Sequence, residues 1–268
     1  MSANPIITNT GILFASFLMC MTILVSQYFR LQFAKALFIN SIRMLVQLTL
    51  VGGVLAWVFK QENYGWAALC LLVMIAAATQ TGISRIQWRY QKIKGHFFFA
   101  VSLSCLGIGL YTLILCLDGD AWKKTYIILP LIGMLIGNAL NNVALGIDYW
   151  MRALVKQRDR IEYALAHGAT RSEAVYPLFK ESMNTGMMGI INSMGAAGLV
   201  SMPGAMTGQI LSGTDPREAV KYQIIIFLMV TVAAMFGVAL SIYLSYRTLT
   251  NSSHQILYHQ IVEKFGDE

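Results

Sequence analysis

The chain has 268 residues, of which 56% are hydrophobic and only 12% are charged. Soluble domains are about 25% charged, so this chain could neither cover a water-exposed surface nor remain disordered. A formal net charge of +7 would suggest nucleic acid binding in a soluble protein. In a membrane protein, however, Lys and Arg collect on the cytoplasmic side. The composition therefore indicates an integral membrane protein that contacts lipid and no nucleic acid.

The length limits what such a chain can contain. Seven helices of about 20 residues each would cross the membrane and leave too little chain for an ATPase domain. The phosphate-binding pattern G-x-x-x-x-G-K-[ST] is also missing from the sequence. We therefore expect no enzymatic site and no cofactor bound by this chain. If transport uses ATP, a separate partner chain binds ATP and Mg and hydrolyses the nucleotide.

Seven apolar stretches are long enough to cross a bilayer. They cover residues 11–28, 36–59, 64–83, 97–117, 126–147, 183–211 and 222–246. Pro203 lies inside the sixth stretch and is expected to kink or break its helix. The sequence thus predicts an all-α membrane protein of about seven transmembrane helices, organised as one polytopic domain over residues 1–268.

Basic residues divide unevenly between the alternate loops of this seven-helix map. One set of loops and ends holds fifteen of the 20 Lys and Arg residues, and the other set holds five. The smaller set comprises Lys60, Lys123, Lys124, Arg217 and Lys221. Because basic residues favour cytoplasmic loops, the map predicts a multi-pass protein of the cytoplasmic (inner) membrane. Its N-terminus lies outside and its C-terminus lies in the cytoplasm.

The longest connection, residues 148–182, is expected to be more than a passive loop. Apolar residues at helical spacing precede Gly168, which is expected to end that helix in a left-handed conformation. Thr170 and Glu173 then form the T-x-x-E pattern of a capping box at the start of a second helix. The pattern predicts helix, sharp turn and helix in the cytoplasm. It fits either a solvated basic segment near anionic lipid or a docking element for a partner.

This segment resembles the coupling loop of ABC-transporter permeases. Glu162, Ala164 and Gly168 match three positions of the permease pattern E-A-A-x-x-x-G. The resemblance implies that the turn, together with Thr170 and Glu173, is the coupling helix that enters a cleft of a cytoplasmic ABC ATPase subunit.

A second resemblance covers almost the whole chain. The stretch G-L-V-S-M-P-G-A-M-T-G-Q-I-L-S-G at residues 198–213 is similar to the signature of the iron-export ABC permease family. That family includes bacterial iron-efflux permeases and plant aluminium-tolerance proteins. It implies a complex of two permease chains and two ATPase subunits that exports a metal ion. This chain has Asn192 and Gly195 where many relatives carry an acidic residue and a lysine, so the identity of the ion stays open.

Polar side chains inside the predicted helices are candidates for a substrate path, because such groups usually face a bundle interior or an aqueous cavity. Asn138 and Asn142 share one face of the fifth helix, where they either line a path or form hydrogen bonds between helices. The expected break at Pro203 frees backbone carbonyls at membrane depth. The candidates around the break are Ser201, Met202, Pro203, Gly204, Met206, Thr207 and Gln209.

Met202 and Met206 flank the expected break and are candidates for contact with a metal ion. Thioethers are soft ligands that suit Cu(I) better than iron. Methionine is also an ordinary apolar filler, so both interpretations stay open at this point.

The expected function is that of the membrane-spanning permease subunit of an ATP-driven ABC exporter, which exports iron or a related metal ion and confers metal tolerance. One alternative is an ion-coupled secondary metal transporter. It would need an ionisable residue at the membrane midplane, whereas Arg43 and Asp148 lie at the edges of their stretches. The other alternative is a non-transporting membrane scaffold with a protein-docking loop at residues 148–182.

Cysteine labelling checks the predicted orientation. In an Arg160→Cys variant, a membrane-impermeant reagent should label position 160 only from the cytoplasmic side, because this residue lies in the most basic connection. The unmodified chain, whose four cysteines all lie in apolar stretches, gives the background signal. Labelling of position 160 from outside intact cells would contradict the whole map.

Overall fold

The computed structural model describes residues 9–29, 31, 33–61, 63–117, 123–251 and 255–263. Within these residues the chain forms nine α-helices, one short 3-10 helix and one two-stranded sheet. The helices are α1 (Asn9–Tyr28), α2 (Ala34–Gln61), α3 (Tyr64–Ser84), α4 (Ile93–Leu115), α5 (Thr125–Lys156), α6 (Arg158–Ala166), α7 (Arg171–Ala196), α8 (Gly204–Leu211) and α9 (Pro216–Leu249). The strands are β1 (Trp88–Arg89) and β2 (Val262–Glu263), and the 3-10 helix is Tyr258–Gln260.

Six of the helices, namely α1 to α5 and α9, are long and apolar enough to cross a membrane. They coincide with six of the seven predicted stretches, and the prediction of an all-α membrane protein is confirmed. The remaining stretch, 183–211, is not a single helix. The structure divides it between the second half of α7, an irregular segment at 197–203 and the short helix α8.

The apolar core lies among α3, α4, α5, α7 and α9. Side chains on the inner faces of these helices, such as Leu135, Val143 and Val238, are fully buried. In contrast, α1 and α2 bury little of their surface and pack mainly on each other. The edge-to-face contact of Trp57 with Trp66, whose ring centroids lie 4.9 Å apart, joins α2 to α3.

Two glycines allow α5 and α7 to approach α9 closely. A Cβ atom at Gly146 of α5 would lie 2.6 Å from Cγ1 of Val238. A Cβ atom at Gly186 of α7 would lie 3.0 Å from Cγ2 of the same valine and 3.1 Å from the backbone oxygen of Asn142. Because these distances are shorter than ordinary contacts, the three helices could not pack this way with larger residues.

The pairs of residues in contact give the directions of the three helices. Along α5 and α9, Gly146 meets Val238, and Trp150 Nε1 donates to Ser245 Oγ at 3.1 Å, so these helices run parallel. Along α7 the order is reversed, because Gly186 meets Val238 while Met194 meets Thr231. The chain from Arg171 to Pro216 therefore passes from one end of the bundle to the other.

Three connections meet at one end of the bundle. Gln87, between α3 and α4, donates its backbone N–H to Asp148 Oδ1 of α5 at 3.0 Å. Strand β1 of the same connection pairs with β2 near the C-terminus, and Arg171 at the start of α7 donates to the carbonyl of Asn251 at 3.0 Å. These connections all belong to the set with fifteen basic residues, and we call this the basic end.

Substitution at Gly186 tests the close packing. Gly186→Leu should destabilise the protein by about 1–3 kcal/mol, because the side chain would overlap Val238 and the α5 backbone. Gly195→Leu on the same helix is the matched control, since its added Cβ would meet no atom within 4 Å. The measurement is the apparent melting temperature of each variant in detergent. Equal melting temperatures for the two variants would contradict the packing described here.

Candidate functional site

The chain leaves helix α7 near the middle of the membrane. The sulfur of Met194 lies 3.1 Å from the hydroxyl of Thr231 on α9. Thr231 follows Lys221 by ten residues within an uncharged stretch, 222–246. We take Lys221 as the edge of the bilayer core. Ten residues at 1.5 Å each then place Thr231, and with it Met194, about 15 Å into a core of about 30 Å. Because α7 ends two residues later at Ala196, the interruption lies at membrane depth.

The irregular segment 197–203 is a tight turn with hydrogen bonds of its own. The amide of Gly198 donates to the carbonyl of Ser201 at 2.9 Å, and the amide of Val200 donates to the carbonyl of Ala196 at 3.0 Å. Gly198 has a φ of 84°, in the left-handed region that a side chain disfavours. The prediction of a broken helix is confirmed. Its position at Pro203 is wrong, because the helix already ends at Ala196 and Pro203 is the N-cap of α8.

The turn leaves apolar side chains and backbone oxygens uncovered in the single chain. Leu199 is 95% exposed, Val200 is 83% exposed and Met202 is 66% exposed. Within the described residues, the carbonyls of these three residues accept no backbone hydrogen bond. A free carbonyl is costly in lipid and is tolerated where protein covers it or water reaches it. The turn therefore requires a covering surface or an aqueous cavity.

Helix α8 places the remaining candidates of the break next to α9. Gly204 is its first residue, and Met206, Thr207 and Gln209 are half-buried. The hydroxyl of Thr207 donates to the carbonyl of Pro203 at 3.1 Å. The side-chain oxygen of Gln209 is buried and has no hydrogen-bond partner among the described residues. Gln209 thus has free acceptor capacity within α8, whereas Ser201 is exposed on the turn itself.

The two asparagine candidates lie on α5, and Asn142 is buried in the bundle away from the turn. Asn138 donates its amide to the carbonyl of Met134 on its own helix at 2.9 Å. Asn142 is buried against α7, where its Oδ1 would lie 3.7 Å from a Cβ added at Gly189. Gly189 precedes the turn by eight residues, or about 12 Å along the helix. A single chain therefore holds two separate polar groups rather than one continuous path.

The described residues contain no group of three or more His, Cys, Asp or Glu side chains that could hold a metal ion. An ion at the turn would instead meet neutral ligands, namely backbone carbonyls and the thioether of Met202. Exposed neutral ligands of this kind favour passage of an ion over tight binding, because carboxylate and imidazole groups are the usual strong ligands of metal ions.

The segment between α5 and α7 has the predicted order of helix, turn and helix. Gly168 has a φ of 90° directly after α6. Thr170 and Glu173 form the predicted capping box, since the Thr170 side chain accepts from the Glu173 amide at 3.3 Å and Glu173 Oε2 accepts from the Thr170 amide at 2.8 Å. The amide and the hydroxyl of Thr170 both donate to the Glu173 carboxylate and so hold the pKa of Glu173 below its usual range.

Helix α6 has one buried face and one exposed face. Ile161 is fully buried in the core, whereas Glu162 and Tyr163 are exposed. Glu162 accepts a hydrogen bond from Arg158 Nε at 2.7 Å, and the carbonyl of Ala164 accepts the amide of Ala169 at 3.1 Å. The three residues of the E-x-A-x-x-x-G pattern therefore define the outer surface and the turn of this segment.

Sequence reasoning missed the polar contacts that join the connections at the basic end. Asp148 forms an ion pair with Arg152 and also accepts the backbone amide of Gln87. Arg85 Nη1 donates to Asn141 Oδ1 at 2.6 Å. The spacing of four residues between Asp148 and Arg152 was an available signal for the ion pair, but no local pattern indicates the contacts between different helices.

A protein-family model described as "Uncharacterised protein family (UPF0014)" matches residues 9–250. The chain belongs to this family. Its relatives include the Escherichia coli (strain K12) protein named "Probable iron export permease protein FetB", which is 30% identical over 96% of this chain and 98% of that protein. The resemblance to the iron-export permease family is therefore confirmed.

Relatives from a plant and from Bacillus subtilis have similar sequence identity to this chain. "Protein ALUMINUM SENSITIVE 3" of Arabidopsis thaliana is 32% identical over 81% of this chain and 78% of the plant protein. "UPF0014 membrane protein YjkA" of Bacillus subtilis (strain 168) is 30% identical over 86% of this chain and 91% of that protein. No solved structure matches the chain.

Alanine substitutions test whether the turn lies on an ion path. Met202→Ala, Met206→Ala and Gln209→Ala should each lower metal efflux from cells without lowering the amount of protein in the membrane, because each removes a sulfur or oxygen ligand on the turn or on α8, which follows it. Met188→Ala is the matched control, since Met188 is an exposed methionine on α7 away from the turn. Unchanged efflux in all three variants would move the path elsewhere.

Proposed function

We propose that this protein is the membrane-spanning permease subunit of an ATP-driven ABC exporter, which moves iron or a related metal ion out of the cytoplasm and confers metal tolerance. The observation that carries the proposal is the capped turn at the basic end, where Glu162, Ala164 and Gly168 match the coupling pattern of ABC permeases. The names of the relatives, an iron export permease and a protein of aluminium sensitivity, support a metal ion as the substrate.

The ATPase is a separate cytoplasmic chain in this proposal, and ATP and Mg bind there. Burial of Ile161 fixes one face of α6 to the bundle, while Glu162, Tyr163 and Gly168 remain exposed. An exposed, rigidly capped turn is suited to insertion into a cleft, because little conformational freedom is lost when it binds.

A second copy of the permease covers the turn at 197–203 in this proposal. The exposed side chains of Leu199 and Val200, together with the uncovered carbonyls, support a protein neighbour or a shared aqueous cavity at this depth. Two permeases and two ATPase chains would then form the working complex, with the ion passing between the two permeases.

The complex lies in the cytoplasmic membrane in this proposal, with the N-terminus outside and the C-terminus inside. Support comes from the meeting of the α3–α4 connection, the segment before α7 and the C-terminal residues at one end of the bundle. These are connections that the charge distribution assigns to the cytoplasm.

Substitutions in residues 148–182, which we call the coupling segment, test the proposal. Gly168→Val should cost about 1–2 kcal/mol locally, because a β-branched residue disfavours the left-handed conformation, and Glu162→Lys would place a cation beside Arg158. Both variants should remain folded in the membrane, bind the ATPase less and lose ATP-driven transport. The measurements are co-purification with the ATPase and Fe(II) transport in vesicles with and without ATP.

Gly213→Val is the matched control for backbone strain. Gly213 has a φ of 95° and open space around it, but it lies in the turn before α9, at the opposite end of the bundle. This variant should keep normal binding of the ATPase. If Gly168→Val and Glu162→Lys also bind the ATPase normally and transport at the wild-type rate, the segment is not the coupling element and the scaffold alternative gains support.

A further inference from the structure

The last described residues of the chain pack against the coupling segment. We call residues 250–263 the C-terminal tail; of these, 252–254 lie outside the described residues. All of the tail after residue 250 follows the stretch that the family model matches. It contacts three separate parts of the basic end, namely the α3–α4 connection, α7 and α6.

The first contact is a short antiparallel sheet. Strand β2 of the tail pairs with β1, with Trp88 opposite Glu263 and Arg89 opposite Val262. Gln87 Nε2 also donates to Glu263 Oε1 at 2.8 Å. The end of the tail is thereby fixed to the connection between two membrane-spanning helices.

The second contact joins the tail to the start of α7. Hydrogen bonds join Asn251 and Gln255: the Asn251 amide donates to the Gln255 carbonyl at 3.1 Å, and the Gln255 amide donates to Asn251 Oδ1 at 2.9 Å. The carbonyl of Asn251 then accepts a hydrogen bond from Arg171 Nη1 at 3.0 Å. Arg171 is the first residue of α7, directly after the capping threonine.

The third contact reaches the coupling pattern itself. The guanidinium of Arg158 lies 4.7 Å from the ring centroid of Tyr258, and its Nε donates to Glu162. Arg158 therefore lies between an aromatic ring of the tail and the glutamate of the E-x-A-x-x-x-G pattern. Ile256 of the tail and Ile161 of α6 belong to the same buried core.

The hydroxyl of Tyr258 is buried and has no hydrogen-bond partner among the described residues. Burial, followed by the nearby carboxylate of Glu162, raises its pKa to about 12, so the group is neutral in the cytoplasmic pH range. The ring rather than the hydroxyl is thus the part of Tyr258 that contacts Arg158.

We propose that the C-terminal tail positions the coupling segment, and that Tyr258 acts as a positioning residue for Arg158 and, through it, for Glu162. An isolated helix of nine residues is marginal in water, so α6 depends on its neighbours for a fixed orientation. The tail supplies such a neighbour and joins α6 to the α3–α4 connection. The consequence for transport rests on the proposed function, whereas the consequence for the structure of α6 does not.

Hydrogen exchange on the full-length permease in detergent tests the structural part. In Tyr258→Ala, the amides of residues 158–166 should exchange about threefold faster or more, as expected from loss of a cation–π contact. Tyr258→Phe is the matched control, because it keeps the ring and removes only the unpartnered hydroxyl. Tyr243→Ala is a second control, since its ring lies 5.9 Å from Arg247 on α9 and not on α6.

The complex with the ATPase tests the transport part, through the number of metal ions moved per ATP hydrolysed. Tyr258→Ala should lower this ratio, and Tyr258→Phe should restore it to the wild-type value, whereas a general loss of stability would lower transport and hydrolysis together. Unchanged exchange in Tyr258→Ala, or equal effects of the Ala and Phe substitutions, would overturn the inference. Absence of ATP-driven transport in the wild-type complex would overturn the proposed function and leave the exchange result standing.

Discussion

The packing of α5 and α7 against Val238 of α9 is the constraint on which the rest of the structure depends. Gly146 and Gly186 bring the three helices so close that a Cβ atom at Gly146 would overlap the valine and one at Gly186 would be in unusually tight contact with it. This contact fixes the antiparallel register of α7 on α9. The register in turn places the capped start of α7 at the basic end and its last residue in the middle of the membrane.

The demand for backbone hydrogen bonds in lipid explains the form of the interruption. A helix that ends at mid-membrane must satisfy its last carbonyls locally, and the amides of Val200 and Ser201 do so by returning to the carbonyl of Ala196. That return requires the left-handed Gly198. Pro203, which has no N–H to leave unpaired, is then the N-cap of the next helix, α8. The sequence marks the proline strongly, which is why the break was expected there rather than at Ala196.

Features with a local physical cause could be predicted from the sequence, and features that depend on tertiary contacts could not. The capping box of Thr170 and Glu173 and the left-handed Gly168 follow from neighbouring residues, and both are present. The pairing of β1 with β2 joins two-residue strands far apart in the chain and carries no periodic signal. The separation of Asn142 from the turn at 197–203 likewise depends on the register of α5 on α7, which helical spacing alone does not contain.

The two candidate sites lie at the two ends of one helix. Helix α7 has 26 residues, or about 39 Å, and runs without interruption from the turn at Gly168 to the turn at Gly198. Pro177 removes one hydrogen bond near the start of α7 and favours bending there, whereas beyond it the helix packs on α9 through Gly186 and Met194. A partner that moves the first turn therefore shifts the rest of α7 to the extent that the helix does not bend at Pro177. The interruption is where that movement can be absorbed, because beyond Ala196 the backbone has left the helix. A change at the basic end would therefore alter the uncovered carbonyls at membrane depth without any need for a separate relay of side chains.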